Sequence, residues 1–340
     1  MNLWTQRSAS FWLGLCGILF LALFPSFMDS FRVGQMGRFM DYALLAISLN
    51  LIWGYTGILS LGHAVFFTLG GYAIGYYLKL QSGQLPDFMS WSGLTQIPWF
   101  IQPLANPWIA LPAIVIIPTV FAFLVGWPTF RSGIKGVYFT ILSQALALAL
   151  MIFFVGQQPF TGGTNGITNF QGFFGASLNS DGMLYSFYYL SLIFMLGGVG
   201  LNAWLLKTRT GKILQAIRDG ENRLKYLGYN PVSFKVFIFM LSAAMAGIAG
   251  ALYTPQIGIV SPASMDILPS VEIAIWVAIG GRGTLAGPII GALAVSWAQT
   301  LISENFPDVW LYFLGAGFIV TVLFFPKGLM GLKELIKRRT

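Results

Sequence analysis

Apolar residues follow one another along this chain in long runs, and polar residues are confined to short breaks between them. A run such as YYLSLIFMLGGVGLNAWLL, from Tyr188, is apolar on every side. That pattern excludes both a surface helix with one wet face and the alternating strands of a transmembrane barrel. A bilayer core about 30 Å thick takes roughly 20 apolar residues per helical span. On that scale the runs predict ten helical spans, near residues 11–28, 39–53, 58–79, 107–127, 136–156, 184–206, 233–254, 269–280, 285–303 and 308–325. Open sheets cannot satisfy their backbone in lipid, so the expected fold class is all-α, a polytopic transmembrane helical bundle. Arg7 precedes the first run as in a secretory signal, but FPSFMDS offers no small-residue cleavage site, and a retained helix is expected.

Composition supports this pattern: of 340 residues 56% are hydrophobic and 9% charged, and the mean hydropathy is +0.74. In a chain with several spans, the placement of Lys and Arg says more than the net charge of +8, so nucleic acid is not an expected partner. With a cytoplasmic N-terminus, Arg7, Arg131, Lys135, the seven basic residues from Lys207 to Lys235, Arg282 and the five from Lys327 to Arg339 fall inside. Only Arg32, Arg38 and Lys79 fall outside. Both termini are therefore predicted to be cytoplasmic. Arg32 and Arg38 fit this scheme poorly, which points to a broken or re-entrant second span. Residues 80–106 and 157–183, rich in Gly, Pro, Trp and amides, read as outer interfacial loops or half-helices.

Candidate chemistry is sparse. Cys16 stands alone, His63 is the single histidine, and no metal-binding cluster is visible, so neither a metal nor a bound cofactor is expected. There is no phosphate loop and no H-E-x-x-H or G-x-S-x-G motif, hence no catalytic residue. Asp41, His63 and Glu272 are the main ionisable residues in spans, fewer than a proton- or sodium-coupled carrier requires. His63 either faces a substrate path or is a neutral imidazole paired within the bundle, the commoner habit of buried polar groups. Glu272 either lines a vestibule or sits at the outer interface. TGGTNGITNF, from Thr161 and including Asn165, offers backbone and amide groups for a mouth or forms ordinary turns. Gly70, Gly71, Gly247 and Gly291 suit close helix packing. GYTGIL at Gly54 and GGRGTL at Gly280 share the form G-x-x-G-x-L, too short an echo to establish a repeat.

One stretch departs from the oily pattern: LKTRTGKILQAIRDGENRLKYLGYN, Leu206 to Asn230. Ile213, Ile217, Gly220, Leu224 and Leu227 recur at helical spacing, and Arg218, Asp219, Glu221, Arg223 and Lys225 occupy the remaining surface. A short amphipathic helix in a cytoplasmic loop is predicted, ended by Gly228 and Pro231. It either lies on anionic headgroups or docks a soluble partner, and the acids Asp219 and Glu221 favour docking because lipid would repel them.

AIRDGENRLKYLGYN followed by FKVFIFMLSAAMAGIAGALY resembles the EAA-related coupling-loop signature of the permease subunits of branched-chain amino acid type ABC transporters. NLIWGYTGILSLGHAVFFTLGGYAIGYYL, GVYFTILSQALALAL, GGTNGI and WVAIGGRGTLAGPIIGA fit the same family in the same order. Within it, LPDFM, IPWFIQP, PQIGIVSP, SVEIAIWVAIGGRGTLAGP and PDVWLYFLGA most resemble the C-type permeases of urea transporters. The resemblance implies a single permease domain, 1–340, in the cell (inner) membrane, with a coupling loop at 207–232. It implies an importer of urea, or alternatively of branched-chain amino acids, built with a second permease, two ATPase subunits that use the ATP and an extracytoplasmic solute-binding protein. Ala216, Arg218, Asp219, Gly220, Glu221 and Gly228 would carry ATPase coupling, and His63, Asn165 and Glu272 are the candidates for the translocation path. A passive channel would not need the charged loop, and an enzyme would need a nucleophile or metal cluster.

Overall fold

Helix α1 (Leu3–Leu23) is followed by α2 (Ser30–Thr56), a continuous helix that becomes the axis of the bundle. The computed structural model describes residues 3–170, 172–178, 180–306, 309–324 and 328–331. After α2 come α3 (His63–Leu80), α4 (Asp87–Trp91), α5 (Pro107–Arg131), α6 (Val137–Gly156), α7 (Gln158–Thr161) and α8 (Asp181–Lys207). The rest are α9 (Arg209–Tyr226), α10 (Pro231–Ile257), α11 (Ile267–Gly280), α12 (Gly287–Asn305) and α13 (Trp310–Phe324). Each of the ten predicted spans has its helix. Among the described residues, α5, α6, α8 and α10 are both long and apolar enough to cross a bilayer on those grounds alone. The termini predicted to be cytoplasmic lie outside the described residues.

The expectation of a broken second span is corrected. Helix α2 is unbroken and begins well before residue 39, because its polar first turns find partners instead of lipid. Arg32 reaches Gln35 at 3.0 Å and Glu304 of α12 at 3.5 Å, and Gln35 itself is buried. Its far end closes on Gly57, whose φ of 76° ends the helix in a left-handed cap. Helix α10 starts at Pro231, with the Asn230 side chain accepting from Val232 N, and ends the same way at Gly258.

Glycines set how closely the central helices approach. A Cβ at Gly70 of α3 would stand 2.1 Å from the Gly247 carbonyl of α10, and one at Gly250 would stand 1.8 Å from the Phe67 carbonyl. These are backbone-to-backbone contacts, as the small-residue reading predicts. Helices α5 and α6 lie further out, with Trp108, Leu124, Tyr138 and Ile152 exposed.

In the outer segments, β1 (Ile167–Thr168) pairs antiparallel with β4 (Ile259–Val260), beyond the end of α10. A second two-residue pair joins β2 (Gly172–Phe173) to β3 (Ala176–Ser177). Gly162, Gly163 and Gly166 all have positive φ, and a Cβ at Gly166 would lie 2.0 Å from the Val260 carbonyl. The TGGTNG loop is thus a tight set of turns folded onto the α10–α11 connection.

Candidate functional site

Helix α9 is the charged helix, and Thr208 caps it by accepting from Gly211 N at 3.3 Å. Leu214, Ile217 and Leu224 form its buried face, while Leu227 is 74% exposed. The expected stripe is seen from Ile213 through Ile217 and Gly220 to Leu224, all buried or half-buried, and is corrected only at Leu227, which lies past the helix end at Tyr226. At Gly220 the backbone is extended (φ 177°, ψ 75°), which breaks α9 with a kink. Such a φ suits any residue, and a Cβ there would meet only the Arg223 side chain, at 3.4 Å. Nothing within the described chain requires glycine at 220. Ala216 is half-buried before the break, and Gly228, with φ 83°, ends the segment.

Each half of α9 is tied to a different part of the bundle. Before the break, Arg218 Nη1 donates to the Gly54 carbonyl at 3.0 Å and Nε to Asp219 Oδ1 at 3.0 Å. Gly54 packs on Gly283, since a Cβ at 54 would lie 2.7 Å from the Gly283 nitrogen. Asn50 stitches the two segments, accepting from Gly283 N at 2.8 Å and donating to the Thr284 carbonyl at 2.9 Å. The two G-x-x-G-x-L segments are thus contact partners. After the break, Glu221 meets Lys235 of α10 at 2.9 Å, Lys225 at 3.8 Å and Lys135 of the α5–α6 turn at 4.0 Å. Partial burial pushes its carboxyl up, but the Lys235 hydrogen bond and the charges of Lys235, Lys135 and Lys225 outweigh this and hold it below the ordinary carboxylate range. Asp219, with its side chain 67% exposed, remains turned outward.

The three path candidates are not brought together. His63 is fully buried, its Nε2 2.8 Å from Ser242 Oγ. Because Ser242 donates to the Ser48 carbonyl, Nε2 carries the hydrogen, and Nδ1 has no partner among the described residues. Asn165 is exposed in the outer loop, where it lines a cavity of about 520 Å³ with Lys79, Asp87 and Ser261. Glu272 lies half-buried in α11.

Between them the structure assembles a polar group that the sequence pattern does not single out. The Tyr42 hydroxyl donates to the Tyr253 hydroxyl at 2.6 Å, with the Trp276 ring tilted against Tyr42, centroids 4.9 Å apart. Beside them Gln256 donates to Asp41 Oδ2 at 2.7 Å and to Ser191 Oγ at 3.1 Å. Gly34, Gly37 and Asp41, three and four residues apart on α2, were a readable signal for one helix face, but Gln256 lies more than two hundred residues away.

The family described as branched-chain amino acid transport system / permease component matches residues 32–322. The LivM permease protein of the high-affinity branched-chain amino acid transport system of Escherichia coli is 25% identical over 342 residues, covering 93% of this chain and 74% of the relative. Its Salmonella typhimurium counterpart is 24% identical, covering 86% and 68%. The BraD permease protein of Pseudomonas aeruginosa is 22% identical, covering 87% and 93%. No solved structure matches this chain.

Proposed function

This chain belongs to the branched-chain amino acid transport permease family, and from that premise we propose that it is the membrane-spanning half of an ATP-driven importer, moving its solute by alternating access. As a permease subunit of the inner membrane it is not an enzyme. Its partners in this reading are a second permease, two ATPase subunits that bind and hydrolyse the ATP, and an extracytoplasmic solute-binding protein.

The observation that carries this reading is α9, a charged helix among apolar spans. A subunit with no nucleotide site of its own receives work through a surface, and α9 presents Arg218 and Asp219 outward while Arg218 also grips the end of α2. Glu221 in this reading is an internal anchor for the same helix, and the kink at residue 220 lets its two halves follow different supports. Ala216 and Gly228 frame the contact. His63, Asn165 and Glu272 belong to the path only as wall residues at separate levels.

For the solute, the names of the relatives favour a branched-chain amino acid over urea, the substrate to which the sequence segments pointed. Urea is retained as the second reading on those segments, LPDFM to PDVWLYFLGA. Proteoliposomes holding the whole transporter and its binding protein separate the two. ATP-dependent accumulation of labelled leucine with no urea uptake supports the first, and the reverse supports the second. Uptake by this chain without ATP would overturn the importer reading altogether.

A further inference from the structure

Gly34, Gly37 and Asp41 form one face of α2, three and then four residues apart. Gly34, with Phe170, Leu184, Phe187, Gln256 and Gly258, lines a cavity of about 530 Å³ at the outer end of the bundle. Gly37, one turn further in, makes a slot: a Cβ there would lie 2.5 Å from Gln256 Oε1, and the next nearest atom of the same side chain is at 3.5 Å. Lying in that slot, the Gln256 amide nitrogen reaches Asp41 Oδ2 at 2.7 Å, the Leu252 carbonyl at 3.0 Å and Ser191 Oγ at 3.1 Å. Two amide hydrogens thus serve three acceptors. Asp41 is fully buried, and its other oxygen, Oδ1, has no hydrogen-bond partner among the described residues.

A carboxyl group at membrane depth with one oxygen unserved is costly, and such groups are kept where a ligand or ion completes them. The amide that reaches this carboxyl comes from a residue in the wall of the outer cavity. It sits on the last turn of α10, directly after Pro255, which has no N–H to bond the preceding turn, and just before the Gly258 cap. This turn is less firmly held to the rest of its helix than an ordinary one.

We propose that Asp41 is the receptor for the N–H donors of the transported solute, and that the Gln256 amide holds the place of those donors and closes the floor of the outer cavity. The ligand class is a small solute with two or more N–H bonds on one nitrogen, either an ammonium or a primary amide. The proposal rests on the permease reading, and Gly37 is its positioning residue, since it decides whether the glutamine can lie flat against α2.

The test uses the whole transporter in proteoliposomes and a lipophilic carbodiimide, with modification of Asp41 followed by peptide mass. Gly37→Ala and Gln256→Ala should each raise the modification rate about tenfold, because both remove the amide from the carboxyl, one by steric displacement and one by truncation. Protection by leucine assigns an ammonium, and protection by urea assigns a primary amide. Asp41→Asn, similar in shape and still able to accept from Gln256, should raise the KM of the protecting solute about tenfold with a smaller change in kcat. An unchanged modification rate in both Gly37→Ala and Gln256→Ala overturns the plug. Protection by neither leucine nor urea, or an unchanged KM in Asp41→Asn, overturns the receptor. A wild-type transporter that imports neither solute defeats the substrate reading, while the modification rates of the two plug variants still decide the site.

Discussion

Two glycines on α2, Gly37 and Gly54, are both packed so closely that an added Cβ would collide, yet they meet different kinds of neighbour. At Gly54 the obstacles include the Gly283 backbone nitrogen at 2.7 Å and its Cα at 2.9 Å, inside a loop stitched by Asn50. At Gly37 the obstacle is the tip of the Gln256 side chain. Backbone cannot yield without moving its segment, whereas a side-chain amide can rotate away. One end of α2 is therefore built as a rigid joint and the other as a place where something can move. The polar groups differ accordingly. Full charges gather at the α9 end, where water can reach them, while deeper in the bundle one carboxyl is met by a side-chain amide, because charge within the bilayer is costly.

The strongest way to break the rigid joint is to remove the anchor that holds α9 beside it. Glu221→Ala leaves the Lys235 ammonium, whose side chain is 3% exposed, without its 2.9 Å partner. The expected cost is about 3 kcal/mol of stability in detergent unfolding, since an orphaned buried charge is worth more than the pair it came from. The pH dependence sharpens this. The Glu221 carboxyl is held below its ordinary value of 4.5 in the folded chain, so its contribution is complete at neutral pH, declines as the pH falls below that value and is gone beneath the folded one. Glu221→Gln should lack that acid-dependent decline, and a decline of the same size in this variant would assign it to another group.

Next in size, Gly54→Ala should destabilise the chain by about 2 kcal/mol, the usual cost of overpacking against atoms that cannot give way. Gly37→Ala, with the same added methyl, should cost about 1 kcal/mol in the same unfolding measurement, the loss of one buried hydrogen bond without a backbone clash. Equal losses for the two would erase the distinction between joint and movable floor. A similarly small effect is expected for Arg218→Ala. Its guanidinium is 42% exposed and its bond to the Gly54 carbonyl is a single charge-assisted one, worth about 1 kcal/mol. Its main readout is function: stimulation of ATP hydrolysis by loaded binding protein should fall although the variant stays folded, and full stimulation would separate Arg218 from coupling.

The ten apolar helices were legible in the residues because a segment that crosses hydrocarbon must be apolar over most of its length, whatever its neighbours. The charged helix was legible for a related reason, as no lipid-facing segment could carry Arg218, Asp219, Glu221 and Arg223 together. The end of its buried face was not legible. Periodicity assumes an unbroken helix, whereas α9 is kinked at Gly220 and stops at Tyr226, which leaves Leu227 outside. The second span was misjudged for a similar reason, since Arg32 looked like a break until Glu304 and Gln35 were found beside it.

What the sequence by itself determined is therefore the class of the molecule, the order of its helices and the polar segment that sets it apart, all of which follow from hydrophobicity, a property each residue carries alone. The pairings of Gly54 with Gly283, Glu221 with Lys235 and Asp41 with Gln256 were decided by tertiary structure only. Each joins two different elements of the chain, and hydrogen bonds and close backbone approach act over about 3 Å, a distance that only the packed helices can set.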